Sequence, residues 1–80
     1  MIIVYTKNSC PYCIKAKNLL KKCNLSYKEI NLSLEPDMID EMLKKSNGMK
    51  TVPQIFINTN HIGGFDQLLK LYEKTGLEQF

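Results

Sequence analysis

Eighty residues, 44% of them hydrophobic and 24% charged, suit one small globular domain spanning residues 1–80 and leave no room for a second. The net charge of +3 comes from eleven lysines against eight acids, with no arginine. A scattered lysine excess without guanidinium forks argues against nucleic-acid binding, yet it leaves a surface that favours a small anion. No apolar stretch approaches the length of a membrane span, and the opening residues run straight into a strand-like segment without the basic leader of a signal peptide. The expectation is a protein kept in the reducing cytoplasm, off the membrane, where three cysteines point to catalysis or metal rather than to structural bridges.

In chain order, Ile2–Thr6 is a short β-branched run that reads as a strand buried on both faces. Asn8 and Ser9 interrupt it, and Pro11 suits the first turn of a helix. Ile14, Ala16, Leu19, Leu20 and Cys23 then recur at helical spacing with lysines opposite, which predicts a helix from about Pro11 to Lys22, closed near Asn24. Tyr27 to Asn31 alternates as a second strand. Glu35-Pro36-Asp37 opens a second helix to about Lys45, acidic at its start and basic at its end as the helix dipole prefers. After the Asn47-Gly48 turn, Thr51-Val52-Pro53 leads into a third strand over Gln54–Ile57. Asn58-Thr59-Asn60 reads as a hairpin turn into a short strand at His61-Ile62. Gly63-Gly64 breaks the chain before a last helix from about Asp66 to Lys74. The order βαβ, α, hairpin, α predicts an α/β fold with a four-stranded mixed sheet covered by three helices.

Cys10-Pro11-Tyr12-Cys13 is the most specific signal. Positions three apart share a helix face, close enough for a reversible disulfide. Cys10 falls at the helix N-terminus, where unpaired N–H groups and the dipole favour a thiolate, and Cys13 lies one turn further in. That asymmetry fits attack by Cys10 and resolution by Cys13. Lys7 could add positive charge beside Cys10, although alone it reads as a solvated lysine. A closed zinc site needs four ligands, and only Cys23 and His61 remain as candidates. Cys23 would sit roughly 15 Å further along the same helix, which excludes both a shared tetrahedral site and a disulfide to Cys13. It is expected to be a core residue on the helix's apolar stripe.

At Pro53 two readings stand. The proline either starts an edge strand, or forms a cis bond that turns Val52 outward to offer its N–H and C=O to an extended peptide. Gly63-Gly64-Phe65-Asp66 precedes a helix whose first N–H groups could hold a carboxylate, with Asp66 as its N-cap. His61 is expected to face solvent or pack on the sheet without a partner, and Tyr5 and Tyr27 to be packing residues.

With these motifs together, the chain resembles the glutaredoxins, most closely the small bacterial dithiol type, over essentially its whole length. The residues that carry the resemblance are Tyr5-Thr6-Lys7 before Cys10-Pro11-Tyr12-Cys13, then Thr51–Ile57, then His61–Asp66. The resemblance implies the thioredoxin-like fold, a cis Pro53, and glutathione as electron-donating co-substrate, with no tightly bound cofactor and no metal. It further implies a redox-active Cys10–Cys13 disulfide and a glutathione cradle. In that cradle the glutathione cysteine lies along Val52, beside Thr51 and Pro53, with its sulfur at Cys10 and Tyr12 flanking it. The glycine carboxylate lies near Lys7, with Lys50 as a second candidate, and the γ-glutamyl end at Gly64, Phe65 and Asp66. Implied partners are disulfide-containing or glutathionylated proteins, ribonucleotide reductase among the family's possibilities, and the implied state is a monomer.

Two residues depart from the family pattern. Phe65 stands where a small residue or cysteine is usual, and Gln67 where a second acid is usual, so the γ-glutamyl end is the least defined part of the cradle. Two other functions remain in play. A redoxin fed by a thioredoxin reductase would use the same cysteines, but Lys7, Tyr12 and the Gly-Gly-Phe-Asp turn favour glutathione. An iron–sulfur cluster carrier would use Cys10 with glutathione between two chains, and Pro11 and Cys13 argue against it.

Overall fold

A computed structural model describes residues 1–78 and 80. Strand β1 (Ile2–Thr6) leads to helix α1 (Pro11–Lys22) and strand β2 (Lys28–Asn31). A 3₁₀ turn at Pro36–Met38 runs into helix α2 (Ile39–Lys45), followed by the hairpin β3 (Gln54–Ile57) and β4 (Asn60–Gly63), and helix α3 (Phe65–Thr75). The strand order is β2-β1-β3-β4, with β1 parallel to β2 and antiparallel to β3, and β3 antiparallel to β4. The mixed four-stranded sheet with three helices is therefore the architecture expected from the sequence.

The side-chain alternation of β1 explains why that strand is apolar throughout. Ile2 and Val4 point to one side, into a core with Ala16, Leu20, Ile55, Ile57, Leu68 and Leu77, beneath α1 and α3. Tyr5 points to the other, with Ile30, Leu32, Met42 and Phe56 beneath α2, and Ile3 packs against them. Helices on both faces leave no solvated side for the central strands.

Four details differ from the sequence reading. The segment read as one helix from Glu35 is split, because Pro36 brings a tight turn in which Met38 N–H bonds Glu35 C=O, three residues back rather than four. The inner stripe of α1 is Cys13, Ala16 and Leu20, so Ile14 is 53% exposed instead of facing the core. Cys13 takes the inward position, and Ile14 follows about 100° further round. Cys23 is half-buried at the C-cap of α1, packed against the core rather than within it. Last, α3 begins at Phe65 with Gly64 as its N-cap, so Asp66 lies inside the first turn instead of capping it.

A polar tie fastens β2 to the rest. The Thr6 hydroxyl, fully buried, donates to Glu29 Oε2 at 2.6 Å, and Lys17 Nζ meets the same oxygen at 3.0 Å. Partial burial raises the Glu29 pKa, but the Thr6 hydrogen bond, Lys17 and the more distant Lys21 outweigh it and hold the carboxyl below its ordinary value. A depressed folded-state pKa gives stability that is present above the unfolded value of about 4.3 and is lost as pH falls through the folded one. Glu29→Gln should therefore lower the urea midpoint at neutral pH. That deficit should shrink toward zero as pH drops below about 4, in urea titrations of both proteins run at a series of pH values.

Candidate active site

Cys10 is the N-cap of α1, in extended backbone conformation, and Pro11 occupies the first helical position with its φ already suited to it. The Cys13 N–H donates to Cys10 Sγ at 3.2 Å, so the helix start directs a backbone donor at that sulfur. Cys10 and Cys13 are joined in a disulfide with Cα atoms 5.2 Å apart. Cys10 is half-exposed, whereas Cys13 is 1% exposed beneath the first turn. Of the two, Cys10 is the more accessible.

Val52 lies just outside the sheet, whose pairing ends at Gln54, and its carbonyl is 3.9 Å from Cys10 Sγ. The Val52–Pro53 peptide bond is cis. Beside it opens a groove of about 220 Å³, walled by Tyr12 on α1, by Thr51, Val52 and Pro53, and by Gly64, Phe65, Asp66 and Gln67 at the start of α3. Three segments distant in sequence thus meet at one cleft. The rings of Tyr12 and Phe65 are 6.2 Å apart and tilted by 32°, an aromatic pair across the groove, and Lys15 Nζ is 5.0 Å from the Tyr12 centroid.

The start of α3 is shaped by its glycines. Gly63 has φ +119, and a Cβ there would come within 3.1 Å of the Gln67 side chain. Gln67 Oε1 in turn accepts from Gly64 N–H at 2.9 Å, so the glutamine caps its own helix start. This is the role of the residue that departs from the family pattern, and it takes up one of the backbone donors at that end of the groove.

Lys7 and Lys50 are not in this groove. Both are exposed and border a separate apolar depression with Leu32, Ile39, Met42 and Leu43. His61 is not without a partner: it stacks on Phe56 at 4.8 Å, and its Nε2 lies 2.6 Å from Gln54 Oε1. Among the described residues there is no group of three or more His, Cys, Asp or Glu side chains that could hold a metal ion.

Residues 2–62 match the glutaredoxin family. The chain belongs to that family. It is 55% identical over 76 residues to Glutaredoxin 1 of Rickettsia prowazekii, covering 94% of this chain and 79% of that protein. It is 45% identical over 75 residues to Glutaredoxin 3 of Escherichia coli K12, covering 94% and 89% respectively. The crystal structure of a buckwheat glutaredoxin–glutathione complex is similar with a TM-score of 0.81 and 32% identity, over 94% of this chain and 69% of that one. Glutaredoxins are thiol–disulfide oxidoreductases that use glutathione as co-substrate, and this chain is such an oxidoreductase, with Cys10 and Cys13 as its dithiol pair.

Proposed function

We propose that this glutaredoxin reduces glutathione mixed disulfides and protein disulfides through attack by the Cys10 thiolate, and that glutathione lies along Val52 with its γ-glutamyl end toward the start of α3. The observation that carries the reading is a groove walled by Val52 and the N-terminus of α3, with the Cys10 sulfur 3.9 Å from the Val52 carbonyl. Backbone edges and helix N-termini are the groups that bind an extended anionic peptide.

The chemistry is thiolate exchange throughout. Cys10 S⁻ attacks a disulfide sulfur, and the partner sulfur leaves as thiolate. When the substrate is a glutathionylated protein, glutathione remains on Cys10 and a second glutathione thiolate removes it as glutathione disulfide. When the substrate is a protein disulfide, the protein stays on Cys10 until Cys13 displaces it, closing Cys10–Cys13, which two glutathiones reopen. Both electrons come from glutathione in each route.

Tyr12 and Phe65 wall the bound sulfur, and the Thr51-Val52-Pro53 turn sets the edge. Asp66 is the acid at hand for the γ-glutamyl ammonium. Lys7 and Lys50, both exposed, are the cations at hand for the glycine carboxylate. The domain acts as a single unit over residues 1–80, as a monomer in the cytoplasm. The test is turnover of a small glutathione mixed disulfide with glutathione and glutathione reductase as the electron source. Activity there supports the reading. Activity only with a thioredoxin reductase would keep the cysteine chemistry and remove glutathione from it.

A further inference from the structure

Gln54 is a polar side chain, 1% exposed, in the otherwise apolar strand β3. Both ends of its amide are occupied. Its Nε2 donates to the Thr51 carbonyl at 2.9 Å and lies 3.3 Å from the Thr51 hydroxyl, while its Oε1 faces His61 Nε2 at 2.6 Å. The network fixes the amide's orientation, because the reverse would set Oε1 against the Thr51 carbonyl, acceptor against acceptor. His61 must then donate from Nε2. The ring is held in place by its stack on Phe56, the residue it pairs with across the β3–β4 ladder.

These contacts form one chain from an exposed imidazole, through a buried amide, to the backbone of Thr51. The next residue, Val52, carries the carbonyl that lies 3.9 Å from Cys10 Sγ. Strand pairing does not hold this stretch, since the β1–β3 register ends at Gln54. An apolar side chain would fill the space at Gln54 without the desolvation of an amide, so packing alone gives no reason for glutamine here.

We infer that Gln54 and His61 are positioning residues for the exchange reaction, which hold the Thr51-Val52 backbone where its peptide groups meet an extended thiol-bearing substrate at Cys10. The inference rests on the reading of Val52 as the edge along which glutathione lies. Without the amide link the Thr51-Val52 stretch must be ordered anew by each substrate, and that ordering opposes binding. The thiolate of Cys10, stabilised at the start of α1, is left as it was.

The experiment compares wild type, Gln54→Met, His61→Phe and His61→Gln. It measures kcat and KM for a small glutathione mixed disulfide, and separately the rate at which iodoacetamide alkylates reduced Cys10, followed on the Cys10 peptide. Alkylation needs the thiolate and makes no use of the Val52 edge. Gln54→Met and His61→Phe are expected to raise KM by about three- to tenfold, the effect of one lost hydrogen bond, with kcat and the alkylation rate near wild type. His61→Gln keeps a side-chain donor and should recover part of the loss. Wild-type KM in the folded variants overturns the inference, as does an alkylation rate that falls in step with turnover. Should circular dichroism show Gln54→Met to be unfolded, His61→Phe decides the question, because it alters an exposed ring and keeps an aromatic face on Phe56. A wild type inactive toward glutathione mixed disulfides overturns both this inference and the glutathione reading. An active wild type matched by the variants overturns this inference alone.

Discussion

Cys10→Ser should abolish turnover of every disulfide substrate, whereas Cys13→Ser should keep the glutathione mixed-disulfide route and lose the protein-disulfide route. The two cysteines are neighbours, but their surroundings separate their tasks. Cys10 is half-exposed at the helix cap with the Cys13 N–H directed at its sulfur, and Cys13 is buried beneath the same turn. A hydroxyl at position 10 has no usable anion at neutral pH, so removal of the attacking thiolate should lower the rate by several orders of magnitude, on the scale seen when an activated nucleophile is deleted. Serine at position 13 leaves the first attack intact. Glutathione then resolves the adduct on Cys10, and only substrates that need an internal second thiol are lost. Parallel assays with a glutathione mixed disulfide and a protein disulfide separate the two effects.

Leu20→Ala should be the most damaging apolar truncation on α1. Leu20 is 0% exposed and sits in the core that joins α1 and α3 to the sheet. Truncating a buried leucine removes its transfer free energy and leaves a cavity, a loss of about 2–5 kcal/mol. Domains of this size have total stabilities of about 5–15 kcal/mol, so the variant should show a large fall in urea midpoint and a sizeable unfolded fraction at 37 °C. Ile14→Ala on the same helix is the control. Its side chain is 53% exposed, and its midpoint should stay near wild type. Equal effects of the two would mean that α1 presents a different face to the sheet.

The contrast between Leu20 and Ile14 shows where periodicity runs out as a guide. The apolar residues of α1 were legible as a stripe, but its width was not. Which of Cys13 and Ile14 faces inward is set by how α1 docks on the sheet, with Ala16 and Leu20 in the core beneath it. The strands were legible because β-branched runs bounded by Asn, Gly and Pro leave few alternatives, and the chain's order of elements admits few topologies. The Cys10-Pro11-Tyr12-Cys13 motif and the cleft-forming segments were likewise visible, since each carries its own local chemistry.

What the sequence did not disclose was the work done by polar side chains across tertiary contacts. Gln54 was legible only as the first residue of the third strand, and its role required knowing that it is buried and that the hairpin brings His61 against it. Gln67 read as a missing acid, whereas its side chain caps Gly64. The glycine-to-glutamine spacing of a capping box was present and could have signalled this. Lys7 and Lys50 were placed at the glycine carboxylate by the resemblance, not by any pattern in their own neighbourhood. Their side chains border the apolar depression on the α2 side, where Met42 and Leu43 also lie.

The central claim is that Cys10 carries the glutathione moiety during the cycle. Its most direct test is to mix reduced Cys13→Ser protein with a glutathione mixed disulfide, quench with acid, and locate the adduct by peptide mass spectrometry. One glutathione on the Cys10 peptide, removed by added glutathione, is the expected result. An adduct on Cys23, or none at all while wild type still turns over, would contradict it.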